Sequence, residues 1–255
     1  MAEQEQPLNV LNGVLLRLDL ALARGRYGRW LGGSVPQLED RPEAPFRLEN
    51  LRHPLLVWQE KHDEGPAVVP ISVEVSEELR VVAITGPNTG GKTVTLKSIG
   101  LAALMARAGM LLPCSGQPSL PWCAQVLADI GDEQSLQQSL STFSGHVKRI
   151  GRILDALQQG PAPALVLLDE VGAGTDPSEG TALATALLKA LADRARLTIA
   201  TTHFGELKAL KYGDGRFENA SVAFNPETLS PTYELLWGIP GRSNALAIAL
   251  SLIHI

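Results

Sequence analysis

The chain has 255 residues, 45% of them hydrophobic, enough for one substantial core with appendages. Its net charge of −5 argues against extensive neutralisation of nucleic-acid phosphates by this piece alone, and no apolar run is long enough to span a membrane. No secretory leader reads at the amino end, and Cys114 and Cys123 lack C-x-x-C spacing, so a reduced cytoplasmic setting is expected.

In chain order, residues Leu8 to Leu31 read as an amphipathic helix, with Leu11, Leu15, Leu18 and Leu22 at three-to-four spacing. Pro36, Pro42 and Pro45 then mark a connector. The β-branched run at 80–85 predicts a buried parallel strand. It leads into Gly86-Pro87-Asn88-Thr89-Gly90-Gly91-Lys92-Thr93, which fills the pattern G-x-x-x-x-G-K-[ST] of a phosphate-binding loop. A helix over Val94 to Ala108 follows, with Leu96, Ile99, Ala103 and Leu104 at helical spacing. Strand, loop and helix are the context this motif needs. Its glycines let backbone N–H groups curl around phosphate oxygens, and the helix N-terminus adds a positive dipole end. Lys92 would reach the β- and γ-phosphates, and the Thr93 hydroxyl would hold Mg²⁺.

A strand is expected at 126–130, then a helix from about Ser144 to Leu157 whose Val147, Ile150, Ile153, Leu154 and Leu157 face the core. Lys148, Arg149 and Arg152 form a basic face, read as solvated or as a nucleic-acid contact. The apolar strand 164–169 ends in Asp169 and Glu170. A carboxylate at such a strand end, beside a phosphate loop, is where these enzymes hold their metal, so Asp169 is the candidate for Mg²⁺. Glu170 is placed to polarise an attacking water, which favours hydrolysis over phosphoryl transfer to a second substrate. The strand 197–202 runs into His203, which either senses the γ-phosphate region or starts a helix over Phe204 to Leu210. His53, His62, His146 and His254 show no ligand spacing with carboxylates or cysteines. Strands over Phe217 to Asn225 and Thr232 to Trp237 are expected to extend the sheet in antiparallel fashion.

Four ordered motifs carry a family resemblance: GPNTGGKT, the STF string at Ser141-Thr142-Phe143, LLDEVGAGTDPSEG from Leu167 to Gly180, and ATTHFGELK from Ala200 to Lys208. Together, over about Leu48 to Ala249, they resemble the ATPase domain of the MutS family. The strings from Asp129 to Ser135, Ser139 to Phe143 and Gly238 to Asn244 look like its type-two bacterial branch, linked to suppression of recombination. The resemblance implies a three-layer α/β phosphate-loop fold of the ATP-binding-cassette kind, with a mostly parallel sheet. It implies a head-to-tail homodimer, with ATP and Mg²⁺ between one protomer's phosphate loop and its partner's signature segment. Ser141 would then reach across to the partner's γ-phosphate; read from this chain alone, Ser141, Thr142 or Ser144 is an ordinary helix cap. Asn88 would contact phosphate by its place in the motif.

Some family members stack adenine on an aromatic residue upstream of the loop. The equivalent stretch here, Val68-Val69-Pro70, offers no aromatic ring; Val69 is the candidate for lining the base pocket, with looser nucleotide selectivity expected. In family terms residues 1–45 would be the remnant of a helical lever arm and connector, leaving an apolar stripe exposed, and residues 46–249 the ATPase domain. Residues 250–255 do not continue the family pattern and match one reading frame of a transposon-derived sequencing adapter, so a non-native tail is expected there.

The function implied is an ATPase head coupled to branched or mismatched DNA through regions mostly absent here, with stalled ribosomes as a second setting and no nuclease activity from these residues. Two alternatives stand beside it: another cassette ATPase, against which the missing L-S-G-G-Q string counts, and a nucleotide-gated module without catalysis.

Overall fold

The computed structural model describes residues 5–87, 90–131, 142–225 and 230–239. The elements run α1 (Glu5–Leu31), β1 (Gln37–Glu39), β2 (Phe46–Leu51), α2 (Pro54–Lys61), β3 (Ile71–Val75), β4 (Val81–Thr85) and α3 (Lys92–Arg107). Then come β5 (Ser115–Pro121), β6 (Gln125–Asp129), α4 (Thr142–Gln159), β7 (Ala164–Leu168), α5 (Pro177–Arg194) and β8 (Leu197–Thr201). A 3₁₀ turn at Gly205–Ala209, α6 (Leu210–Gly213), β9 (Phe217–Asn225) and β10 (Ser230–Trp237) complete the described chain.

The main sheet has six strands in the order β10-β9-β4-β8-β7-β6. All its pairings are parallel except β9 with β10. Strands β4, β7 and β8 are buried at every position, as the near-continuous apolar runs predicted. Alternate side chains feed opposite cores: Leu165 and Leu167 join the cluster around α3, while Val166 and Leu168 join that around α5. Gly100 lets α3 lie close on the sheet, since a β-carbon there would meet Leu167 Cδ1 at 2.6 Å. Asp176 starts α5 by accepting from the Ser178 and Glu179 amides, with Pro177 in the first turn; the Ser178 hydroxyl first, then these amides, lower its carboxyl below the usual range. The fold is the three-layer α/β phosphate-loop architecture expected.

Several expectations need correction. Strand β9 joins parallel to β4, and only β10 is antiparallel. The segment after His203 is a 3₁₀ turn and one short helix, not a continuous α-helix over Phe204 to Leu210. Val147 is exposed instead of facing the core. A second, four-stranded sheet of order β1-β5-β2-β3 was not anticipated. It packs its Phe46, Leu48, Val73 and Val75 against the core shared with α3.

One buried guanidinium fastens this sheet to the main one. Arg196, between α5 and β8, donates to the carbonyls of Ala44, Ser76 and Leu79 at 2.7–3.2 Å. Burial, with Arg80 nearby, pushes it down to about 10. Cys114 and Cys123 are free thiols in the same region, each pushed up to about 12 by burial. Among the described residues no helix is long and apolar enough to cross a membrane.

Helix α1 behaves differently. Its residues 6–26 are exposed throughout, including Leu8, Val14, Leu15 and Leu18, and only its last turn packs: Leu31 is buried and Tyr27 stacks on Trp30. The exposed apolar surface is as expected, but it covers the helix all round instead of forming one stripe.

Candidate nucleotide site

The phosphate loop closes the carboxyl end of β4, the position where open α/β sheets gather ligands. Gly86 (φ 139°) and Gly91 (φ 87°) hold backbone conformations that side chains rarely adopt. A β-carbon at Gly86 would also sit 2.5 Å from Val222 Cγ2 of β9. Gly90 and Pro87 complete the described loop, while Asn88 and Thr89 lie outside the described residues. Lys92 opens α3, almost wholly buried, and its ammonium donates to the Gly86 carbonyl at 2.6 Å. Burial lowers its pKa, against the opposing pull of Glu170 and Asp169.

The next residue joins the two halves of the site. Thr93 Oγ1 donates to Asp169 Oδ2 at 2.7 Å, across a separation of 76 residues. The other carboxylate oxygen, Oδ1, accepts from the Thr201 hydroxyl. Thr201 Oγ1 in turn accepts from the Glu170 amide at 2.8 Å. Glu170 itself is left-handed, φ 51°, an uncommon conformation for a residue with a side chain. Its Oε1 lies 3.3 Å from His203 Nε2. The sequence placed Thr201 in the strand that runs into His203 but gave no sign of which groups its hydroxyl would join. The described residues contain no cluster of three or more His, Cys, Asp or Glu at metal-holding distance. Thr93 and Asp169 supply hard oxygen donors side by side, the kind Mg²⁺ takes from proteins while substrate phosphates and water complete its shell.

Asp129 was missed as a site residue. Its carbonyl accepts from the Asp169 amide at 2.9 Å. Its buried carboxylate holds His146 Nδ1 at 2.6 Å and also accepts from Arg149 Nε, both from α4. His146 is therefore partnered in space although no spacing announced it, and Arg149 is not simply part of a solvated basic face. Ser141, just before α4, lies outside the described residues, as does the segment 250–255.

The other end of the site is a cavity of about 270 Å³ lined by Leu51, His53, Val69, Ile71, Gly91 and Tyr233, among others. Val69 is among its lining residues. The aromatic ring absent from Val68-Val69-Pro70 arrives from β10 instead. Tyr233 (φ 63°) lies at a register shift in β10 and passes so near the loop that a β-carbon on Gly91 would meet its Cδ1 at 3.1 Å. Nothing near Tyr233 in sequence could have indicated this, because the strand crosses to the loop only in the folded sheet. His53 Nδ1 accepts from the Leu55 amide and caps α2. Burial, followed by repulsion from Lys97, lowers its pKa and favours the neutral ring.

Residues 82–251 match the family described as MutS domain V. The chain is 62% identical to a protein named Endonuclease MutS2 from Synechocystis sp., over 95% of this chain and 31% of that relative. Proteins of the same name from Thermomicrobium roseum and Symbiobacterium thermophilum are 50% and 49% identical, over 91% and 97% of this chain and 29% of each relative. The chain thus spans about three tenths of the length of these curated relatives.

Proposed function

The chain belongs to the MutS family and carries its ATPase domain, and from that premise we propose that it binds Mg·ATP and hydrolyses it where β7 gives way to Asp169 and Glu170. The observation that carries this reading is the Thr93–Asp169 hydrogen bond, which unites the phosphate loop and the acidic strand end in one oxygen-donor pair. The backbone N–H groups of Gly86, Asn88, Thr89, Gly90 and Gly91, together with Lys92, bind the phosphates, with Pro87 shaping the loop without donating. Thr93 and Asp169 hold Mg²⁺, which when bound supplies charge neutralisation on the phosphate oxygens. Glu170 accepts the proton of the attacking water, and His203, touching Glu170, helps to hold that carboxylate in place. Val69 and Tyr233 line the base end.

Two such chains form a head-to-tail homodimer, with Ser141 of one completing the partner's site. In the longer protein, nucleotide turnover is coupled to branched or mismatched DNA, in keeping with suppression of recombination, with stalled ribosomes as a second setting. The setting is cytoplasmic. The relatives are named endonucleases, but these residues are assigned nucleotide chemistry alone. Family membership speaks against an unrelated cassette ATPase, which leaves a gate without hydrolysis as the rival.

ATP turnover across a protein dilution series, with Glu170→Gln alongside, tests the whole reading. Specific activity should rise with concentration and vanish in the variant. Turnover that ignores concentration would remove Ser141 from the reading, and nucleotide binding without turnover would favour the passive gate.

A further inference from the structure

We propose that Thr201 is a positioning residue that sets the metal-holding Asp169 and the general base Glu170 with a single hydroxyl, an inference that rests on the ATPase reading above.

Thr201 ends the central strand β8 and is wholly buried. A buried hydroxyl is costly unless its bonds are made. Both of the bonds seen here go to the acidic pair and neither to its own strand. Their direction is fixed by counting protons. The Glu170 amide can only donate, so Thr201 Oγ1 accepts from it at 2.8 Å. The hydroxyl has one proton of its own, and that proton goes to Asp169 Oδ1. The carboxylate is therefore oriented by two hydroxyls at once, Thr201 on Oδ1 and Thr93 on Oδ2.

The backbone of Thr201 completes the grip. Its carbonyl accepts from the Val171 amide at 3.0 Å, so Thr201 binds the amides on both sides of the Glu170 α-carbon. Glu170 sits there at φ 51°, a conformation that is unfavourable for a residue with a β-carbon and persists only where its surroundings impose it. The direction in which the Glu170 side chain leaves the strand follows from that backbone. Removing the Thr201 hydroxyl would free one amide of this clamp and one oxygen of Asp169 together.

Valine and serine separate chemistry from packing. Thr201→Val keeps the β-branched shape that a buried strand favours and deletes both hydrogen bonds, whereas Thr201→Ser keeps the hydroxyl and leaves a methyl-sized gap. In the full chain, Thr201→Val should lower kcat about 10–100-fold with KM for ATP changed less than about twofold. Thr201→Ser should recover most of kcat although it packs less well. Amide hydrogen exchange at Glu170 supplies a readout that needs no turnover: faster in the valine variant, unchanged in the serine variant. A valine variant as active as the parent, or more active than serine, overturns the proposal, and so does unaltered exchange at Glu170. Glu170→Gln keeps the two readings apart. Turnover that survives it sinks the ATPase reading, and exchange at Glu170 then still decides whether Thr201 holds that amide.

Discussion

At the phosphate end of the candidate site, Lys92 is hydrogen-bonded to Gly86, and the next residue, Thr93, starts a chain of hydrogen bonds through Asp169 and Thr201 to Glu170. At the end proposed for the base, Leu51, His53, Val69 and Tyr233 enclose a cavity by shape, drawn from separate stretches of chain. The contrast shows two ways of building a binding surface. Phosphate and metal chemistry needs charged groups and amides at fixed short distances, and contiguous motifs on strand ends supply these. A base needs an apolar slot of suitable width, which many residue combinations from several elements can form.

Substitutions at the two ends should therefore behave differently. Glu170→Gln should have the largest effect, lowering kcat about 10²–10⁴-fold while nucleotide affinity holds; near-normal turnover would break the phosphate-end reading. Lys92→Met should weaken ATP binding by about 10–100-fold, as loss of a charge-assisted contact does, and should weaken inorganic tripolyphosphate equally.

The join between the two ends is probed next. Arg196→Met strips the partners from the Ala44, Ser76 and Leu79 carbonyls and should cost roughly 3 kcal/mol in urea unfolding. A smaller change would mean that packing alone holds the sheets together.

Tyr233→Ala should raise the Kd for ATP about fivefold and leave tripolyphosphate binding untouched, because only the base end loses an aromatic face. An equal loss for both ligands would place Tyr233 at the phosphates instead.

The smallest effect concerns His53, whose pKa is lowered on folding by burial and by Lys97. The unfolded chain binds the proton more readily, so this contribution to stability is complete above the ordinary value of 6.5 and is lost as pH falls below it. Unfolding midpoints of His53→Asn, which preserves the α2 cap, should show a flatter decline on acidification than the parent.

The parts legible in sequence were those in which one short stretch fixes the geometry. The strands at 81–85, 164–168 and 197–201 carry runs of apolar or β-branched residues, and each falls within a residue of its expected span. Strand β5 was missed because Gly116, Pro118 and Pro121 lower its local strand preference, and only pairing with β1 and β2 makes it a strand. The turn after His203 has helical composition over too few residues to sustain an α-helix, and the 3₁₀ form results. Tyr233 and the Asp129–His146 pair arise from chain crossings that no spacing encodes. The leucines of α1 were read as one apolar face, but residues 6–26 are exposed on every side, so the pattern alone could not say which side is covered.

The Arg196 fastening has a mechanical consequence. The cavity wall carrying Leu51, Val69 and Ile71 belongs largely to the small sheet, whereas the phosphate loop belongs to the large one. One guanidinium bound to carbonyls flanking β2, β3 and β4 keeps the two from sliding. On the proposed reading the domain then works as a calliper of fixed opening, its two jaws held at a set separation for base and phosphates.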